Sequence, residues 1–180
     1  MGKVESLISE VRSVRRQVLD ATHSLSSEQG AFKPSPERWS VTEILEHLVL
    51  AEQGGINFSW KAADGYRKGQ SFWEGTSPNS GLTIEQIIER TWKTKEKAPE
   101  SATPRLGGPV QYWIATLDAC QPVLEKLGGV LKTLPLSEVI YPHFLSGPLD
   151  ASQRLEFLRF HLEHHLKQIE ALKKEANFPA

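Results

Sequence analysis

The stretch RFHLEHHLKQIEAL, residues 159–172, sets three histidines within five positions. Imidazole suits divalent zinc, nickel or iron(II), and two imidazoles on one helix face can share an ion at roughly 2.1 Å per bond. On a helical wheel of ~100° per residue, Leu155, Leu158, Leu162, Leu166 and Ile169 define an apolar direction. His165 falls ~40° from its centre and His161 ~80° away, so both can face an interior, whereas His164 falls ~140° away and points outside. One turn separates His161 from His165, which puts their Cβ atoms about 6 Å apart. The competing account is one inward histidine, hydrogen-bonded in a core that holds no ion.

A third ligand should come from another helix. His47, in SVTEILEHLVLAEQ, is the best candidate, near the edge of that segment's apolar stripe. Glu52 falls well inside the same stripe, where a lone carboxylate is costly unless paired or hydrogen-bonded. It either orients an imidazole by accepting its N–H or serves as a structural hydrogen-bonded glutamate. His143, in YPHF, either lines a site mouth or sits on a surface loop. Glu52 and His143 are the candidate acid–base groups. His23 lies near the end of the first helix, where a cation favours the terminus. Cys120, the one cysteine, carries no nucleophile motif.

The elements that must position these residues are helices. Val4, Leu7, Ile8, Val11, Val14, Val18 and Leu19 recur with helical period over residues 3–25. EQGAFKPSPER then breaks the pattern with Gly30, Pro34 and Pro36. Ser40 and Glu43 have capping-box spacing and start a second helix, expected to reach about residue 62. Residues 64–82 read as irregular. Thr83 and Gln86 cap a shorter helix over 83–98. A third long helix over 110–127 ends at Gly128-Gly129, with Pro122 as a kink or stop. Asp150 and Gln153 cap the last helix, 151–175, after a connector. Alternating strand patterns are absent. Four main helices with a long excursion between the second and third predict an all-α bundle with a crossover.

The chain has 180 residues and a formal net charge of −1, with 39% hydrophobic and 24% charged residues. That length predicts one domain, 1–180, able to bury roughly 70% of its unfolded surface. The near-neutral charge argues against a nucleic-acid or acidic-membrane partner. No apolar run is long enough to span a bilayer. One cysteine excludes a disulfide framework and suggests a reducing, cytoplasmic setting.

RWSVTEILEHLVLAE resembles the second-helix signature of the DinB/YfiT-like superfamily: a Trp-Ser entry, a His-Leu in mid-helix and a Glu five residues after the His. HLEHHLKQIEAL resembles its final-helix signature, H-x-x-x-H-x-x-Q-I, and YPHFLSGPLD looks like its lead into that helix. The resemblance spans nearly the whole chain. It implies a four-helix bundle in up-down-down-up order and a divalent-metal site built from His47, His161 and His165. Gln168 matches the family's glutamine, and His164 falls on the variable position between two ligands.

It further implies one of two functions. The first is an enzyme of thiol S-transferase or hydrolase type acting on a small molecule, in which the ion binds a low-molecular-weight thiol cosubstrate or activates water. The aromatic segment NFSWKAADGYRKGQSFWEG would then roof a cavity, or simply be a loop anchored by Phe58, Trp60, Phe72 and Trp73. The second is a non-catalytic, stress-related protein that binds metal structurally or presents a surface to a partner. Homodimerisation is common in the superfamily and possible here.

Overall fold

The computed structural model describes residues 2–92 and 97–180. In chain order they form α1 (Lys3–Thr22), α2 (Ser27–Ala31), α3 (Val41–Arg67), α4 (Ile84–Thr91), a 3-10 turn (Glu100–Ala102), α5 (Val110–Leu131), β1 (Ile140–His143), β2 (Gly147–Asp150) and α6 (Ala151–Leu172). The protein is mostly helical, as expected, with one small two-stranded sheet that the pattern of residues did not announce. β1 and β2 pair antiparallel, Ile140 opposite Asp150 and His143 opposite Gly147.

Local chemistry sets most helix starts. Ser40 with Glu43, Thr83 with Gln86 and Asp150 with Gln153 each close a full capping box, as anticipated. Ser26 with Gln29 closes a fourth, which opens the short α2. The ends differ from expectation. α3 continues to Arg67, α6 stops at Leu172, and α5 runs through Pro122 and both glycines to Leu131. α4 ends at Thr91 with Trp92 extended. The rest of its expected span includes 93–96, which lie outside the described residues.

α1 packs on α5 and α6, and α3 packs on the same two helices, so the four long helices close a ring. The core inside it is aliphatic: Val11 and Val18 from α1, Leu45 and Leu48 from α3, Leu117 and Leu124 from α5, Leu155 and Ile169 from α6. A smaller cluster joins Ile84 and Ile87 of α4 to Leu149 of β2 and Phe157 of α6. Polar stitches hold the crossover there. Asn79 Nδ2 donates to the carbonyls of Ser146 (2.7 Å) and Pro148 (2.9 Å), and Gln153 Nε2 donates to those of Asn79 (2.7 Å) and Leu82 (3.0 Å).

The two glycines of α5 have opposite roles. A Cβ at Gly128 would lie 2.2 Å from Ile8 Cδ1 on α1, whereas one at Gly129 would meet nothing within 4 Å. Gly128→Ala therefore lowers stability by about 0–2 kcal/mol, the cost of shifting the end of the Ile8 side chain less the helix-propensity gain. Gly129→Ala raises it by about 0.5–1 kcal/mol through helix propensity. Urea unfolding of both variants checks the pair, and equal effects would contradict the close approach of α1 to α5.

Candidate metal centre

His47 projects from α3, and His161 and His165 from successive turns of α6. All three are buried, and one ligand atom of each lies within 4.8 Å of the others. His161 Nε2 is 3.0 Å from His47 Nε2 and 3.1 Å from His165 Nε2. The opposite edges of the outer two rings are already engaged. His47 Nδ1 lies 2.7 Å from the Ala102 carbonyl oxygen, which only accepts, so Nδ1 carries the proton. His165 Nδ1 lies 2.9 Å from Gln168 Oε1, and the same amide's Nε2 lies 3.0 Å from His164 Nε2. That arrangement makes His165 Nδ1 a donor too.

Two bare Nε2 lone pairs thus aim at a third ring, which can offer at most one proton to the pair of them. Protonation does not relieve the crowding near neutral pH. Burial, and then the neighbouring imidazoles, push His165 down to about 3 and His161 well below its usual value. Burial also lowers His47. Converging neutral imidazole nitrogens are the donor set that a divalent cation satisfies, so the residues fit an ion.

The positions of the rings are set by partners that sequence reasoning missed in one case and left open in another. Glu46, 1% exposed, accepts the backbone N–H groups of Arg105 (2.5 Å), Leu106 (2.7 Å) and Gly107 (3.0 Å). This cradle holds the segment that brings Ala102 to His47. The only signal in the sequence was an acidic residue directly before the histidine. Gln168, whose role was open, is the hydrogen-bond partner of His165.

The two candidate acid–base groups lie in different surroundings. Glu52 is not at the histidines. It is 3% exposed and forms a buried ion pair with Arg15 of α1, which is 1% exposed, while Arg15 also bonds Gln121 of α5. Its place inside the apolar stripe is explained by that pairing rather than by an imidazole N–H. His143 does line the cavity, but its Nδ1 already accepts the backbone N–H groups of Leu145 (3.3 Å) and Ser146 (3.1 Å). Its neutral ring therefore carries the proton on Nε2 and offers a donor, not a free base. His164, expected outside, is half-buried between Trp92 and Phe160. His23 is exposed, with Nδ1 2.9 Å from the Asp20 carbonyl. Cys120 is buried in α5 with its thiol pushed up by burial, and it is not among the cavity residues.

The histidines open into a cavity of ≈ 870 Å³. Trp39, Phe58, Tyr141, Phe144 and Phe157 make its walls largely apolar. Of the crossover segment's aromatics, Phe58 lines it from within α3, stacked on Tyr141 at 4.8 Å and 13°, whereas Phe72 tilts against the same ring at 4.9 Å without being among the lining residues. Among the described residues no helix is long and apolar enough to cross a membrane.

A mostly helical protein with three buried histidines, converging from two helices on an open cavity, defines a candidate metalloprotein class. Residues 10–169 match the family model of the DinB superfamily, and the chain belongs to that superfamily. No curated protein and no solved structure matches it.

Proposed function

We propose that this protein is a metal-dependent enzyme acting on a small molecule, of thiol S-transferase or hydrolase type, with His47, His161 and His165 as ligands of one divalent zinc, nickel or iron(II) ion. The fold we propose for it is a single-domain four-helix bundle in up-down-down-up order, a reading that the closed ring of α1, α5, α3 and α6 supports. One observation carries the functional reading: the three Nε2 atoms converge where the cavity begins. When bound, the ion supplies Lewis acidity toward a water or a thiol.

The chain's own residues do the rest. Ala102 and Gln168 fix two tautomers and hold the Nε2 lone pairs inward. Three neutral imidazoles leave the ion's charge uncompensated, which favours an anionic partner such as a thiolate. The aromatic walls lower the local dielectric and exclude water around the reacting atoms. An open cavity of this size is what a catalytic site needs and a closed structural site lacks.

Metal analysis of tag-free protein tests the site. Wild type takes up about one equivalent per chain and His161→Ala almost none, because the central ring faces both others. At free metal of 100–1,000 times Kd, stability rises by about 2.7–4.1 kcal/mol. For a chain of this size that is an upward shift in Tm of roughly 5–15 °C, which a chelator reverses. A screen of the loaded protein for thiol transfer and hydrolysis then separates the two reaction types. No uptake of zinc, nickel or iron(II) would sink the metalloenzyme reading, and metal that resists exchange would mark a structural site.

A further inference from the structure

Arg154 is a charged side chain in the cavity wall with no carboxylate partner among the described residues, its guanidinium lying 5.8 Å from the centroid of the Tyr141 ring. It is 7% exposed, and burial lowers it to about 10, so it remains a cation at neutral pH. Its Nη2 donates to the carbonyls of Tyr141 (2.8 Å) and Pro142 (2.7 Å). A guanidinium carries five N–H groups. Nε is buried with no acceptor among the described residues, and both bonds to those residues come from Nη2, leaving Nη1 unused. No carboxylate pairs with it among those residues either. A buried charge without a partner is costly. The other buried arginine follows the usual rule, since Arg15 is paired with Glu52.

The neighbour of Arg154 is a second donor. Backbone N–H groups of the β1–β2 turn hold His143 Nδ1, so its Nε2–H faces outward from that turn with no acceptor among the described residues. Burial, reinforced by the charge of Arg154, keeps the ring neutral. The rest of the wall does not supply an anion. Glu37 is its one carboxylate among the described residues; it is exposed and interacts with Ser35 and Lys33, not with Arg154, while Arg38 of the same wall is bonded to Glu175 at 2.5 Å. Apolar surface from Phe58, Tyr141, Phe144 and Phe157 belongs to the same wall.

We propose that Arg154, with His143 beside it, forms a subsite for a carboxylate, and that the small molecule this cavity takes is an organic acid with an apolar body. Arg154 stands seven residues before His161 on one helix face, about 10 Å along the axis. The acid group and the atom nearest the histidines are then several bonds apart in the same molecule. A guanidinium with unused donors on a fixed plane is suited to a carboxylate, and His143 Nε2–H adds a neutral hydrogen bond. This assignment rests on reading the cavity as a substrate site, but it does not need the metal, so it is tested without it.

The test uses the full chain stripped of metal by chelator. 4-Phenylbutyrate and its neutral counterpart 4-phenylbutyramide are titrated by calorimetry and by the fluorescence of Trp39 and Trp92, both at the cavity. The acid should bind roughly tenfold more tightly than the amide or better, the scale of a charge-assisted hydrogen bond. Arg154→Met should erase that preference while leaving amide binding unchanged. Arg154→Lys keeps the charge but not the planar fork, so it should retain only part of the preference and serves if the Met variant does not fold. Equal affinity of wild type for acid and amide would overturn the proposal, as would no binding of either. So would a folded Arg154→Met that still prefers the acid. A preference that persists in protein shown to take up no metal would support the subsite while the metalloenzyme reading fell.

Discussion

Glu52→Ala is expected to destabilise the protein by about 3–5 kcal/mol, the cost of stranding one partner of a buried ion pair. Arg15 and Glu52 are almost wholly inside, between α1 and α3. Removing the carboxylate leaves Arg15 only the amide oxygen of Gln121, a neutral acceptor. The pair is already imperfect, because Arg15 Nε and Glu52 Oε2 have no partner among the described residues. Replacing both residues, as Arg15→Met with Glu52→Leu, removes both desolvation penalties and should return stability to near or above wild type. The cycle of single and double variants under urea therefore shows strong coupling. Metal uptake by Glu52→Ala, measured at a temperature where it is folded, should match wild type, since the carboxylate does not touch the histidines. A stable Glu52→Ala that has lost its metal would instead return this glutamate to the site.

The features that sequence made legible are those decided within about one turn of helix. Capping boxes at Ser40, Thr83 and Asp150 depend on contacts three residues apart. The inward phase of His161 and His165 depends on the period of α6 alone. What was not legible depends on contacts distant along the chain. Glu46 and Glu52 are both buried acids on α3, and nothing in α3 tells them apart. The partner of Glu52 lies 37 residues upstream, and the partners of Glu46 lie 59 to 61 residues downstream. Gly128 reads as a helix stop, yet it marks the place where α1 comes close. The β1–β2 hairpin shows no alternation because Pro142 and Pro148 occupy it. Asn79 and Arg154, both outside it in sequence, bind its carbonyls. His143 could be placed near the site by its motif, but its tautomer is set by two backbone N–H groups that only the folded turn supplies.

Glu46→Gln should weaken metal binding by about 10–100-fold, the usual cost of losing a group that orients a ligand through an intermediary. The carboxylate accepts three backbone N–H groups, two on Oε1 and one on Oε2. A glutamine keeps one acceptor oxygen and turns an NH2 toward the N–H that remains, so at least one bond becomes a donor–donor contact. The segment from Thr103 to Gly107 then loosens, and with it the Ala102 carbonyl that holds His47 Nδ1–H. His47 is free to rotate or change tautomer, which removes one of the three converging lone pairs without touching any ligand. Stability should fall as well, by about 1–3 kcal/mol for buried N–H groups left unsatisfied. Competition with a chromophoric chelator measures the affinity. Glu43→Gln, which keeps the capping box but removes the 3.0 Å ion pair with Lys33 in the first turn of the same helix, controls for general loosening of α3. It should lower stability by about 0.2–1 kcal/mol with unchanged metal affinity. Unchanged affinity in Glu46→Gln as well would mean that His47 is held by the packing of α3 against α6 and Trp39, and that the Ala102 contact is incidental.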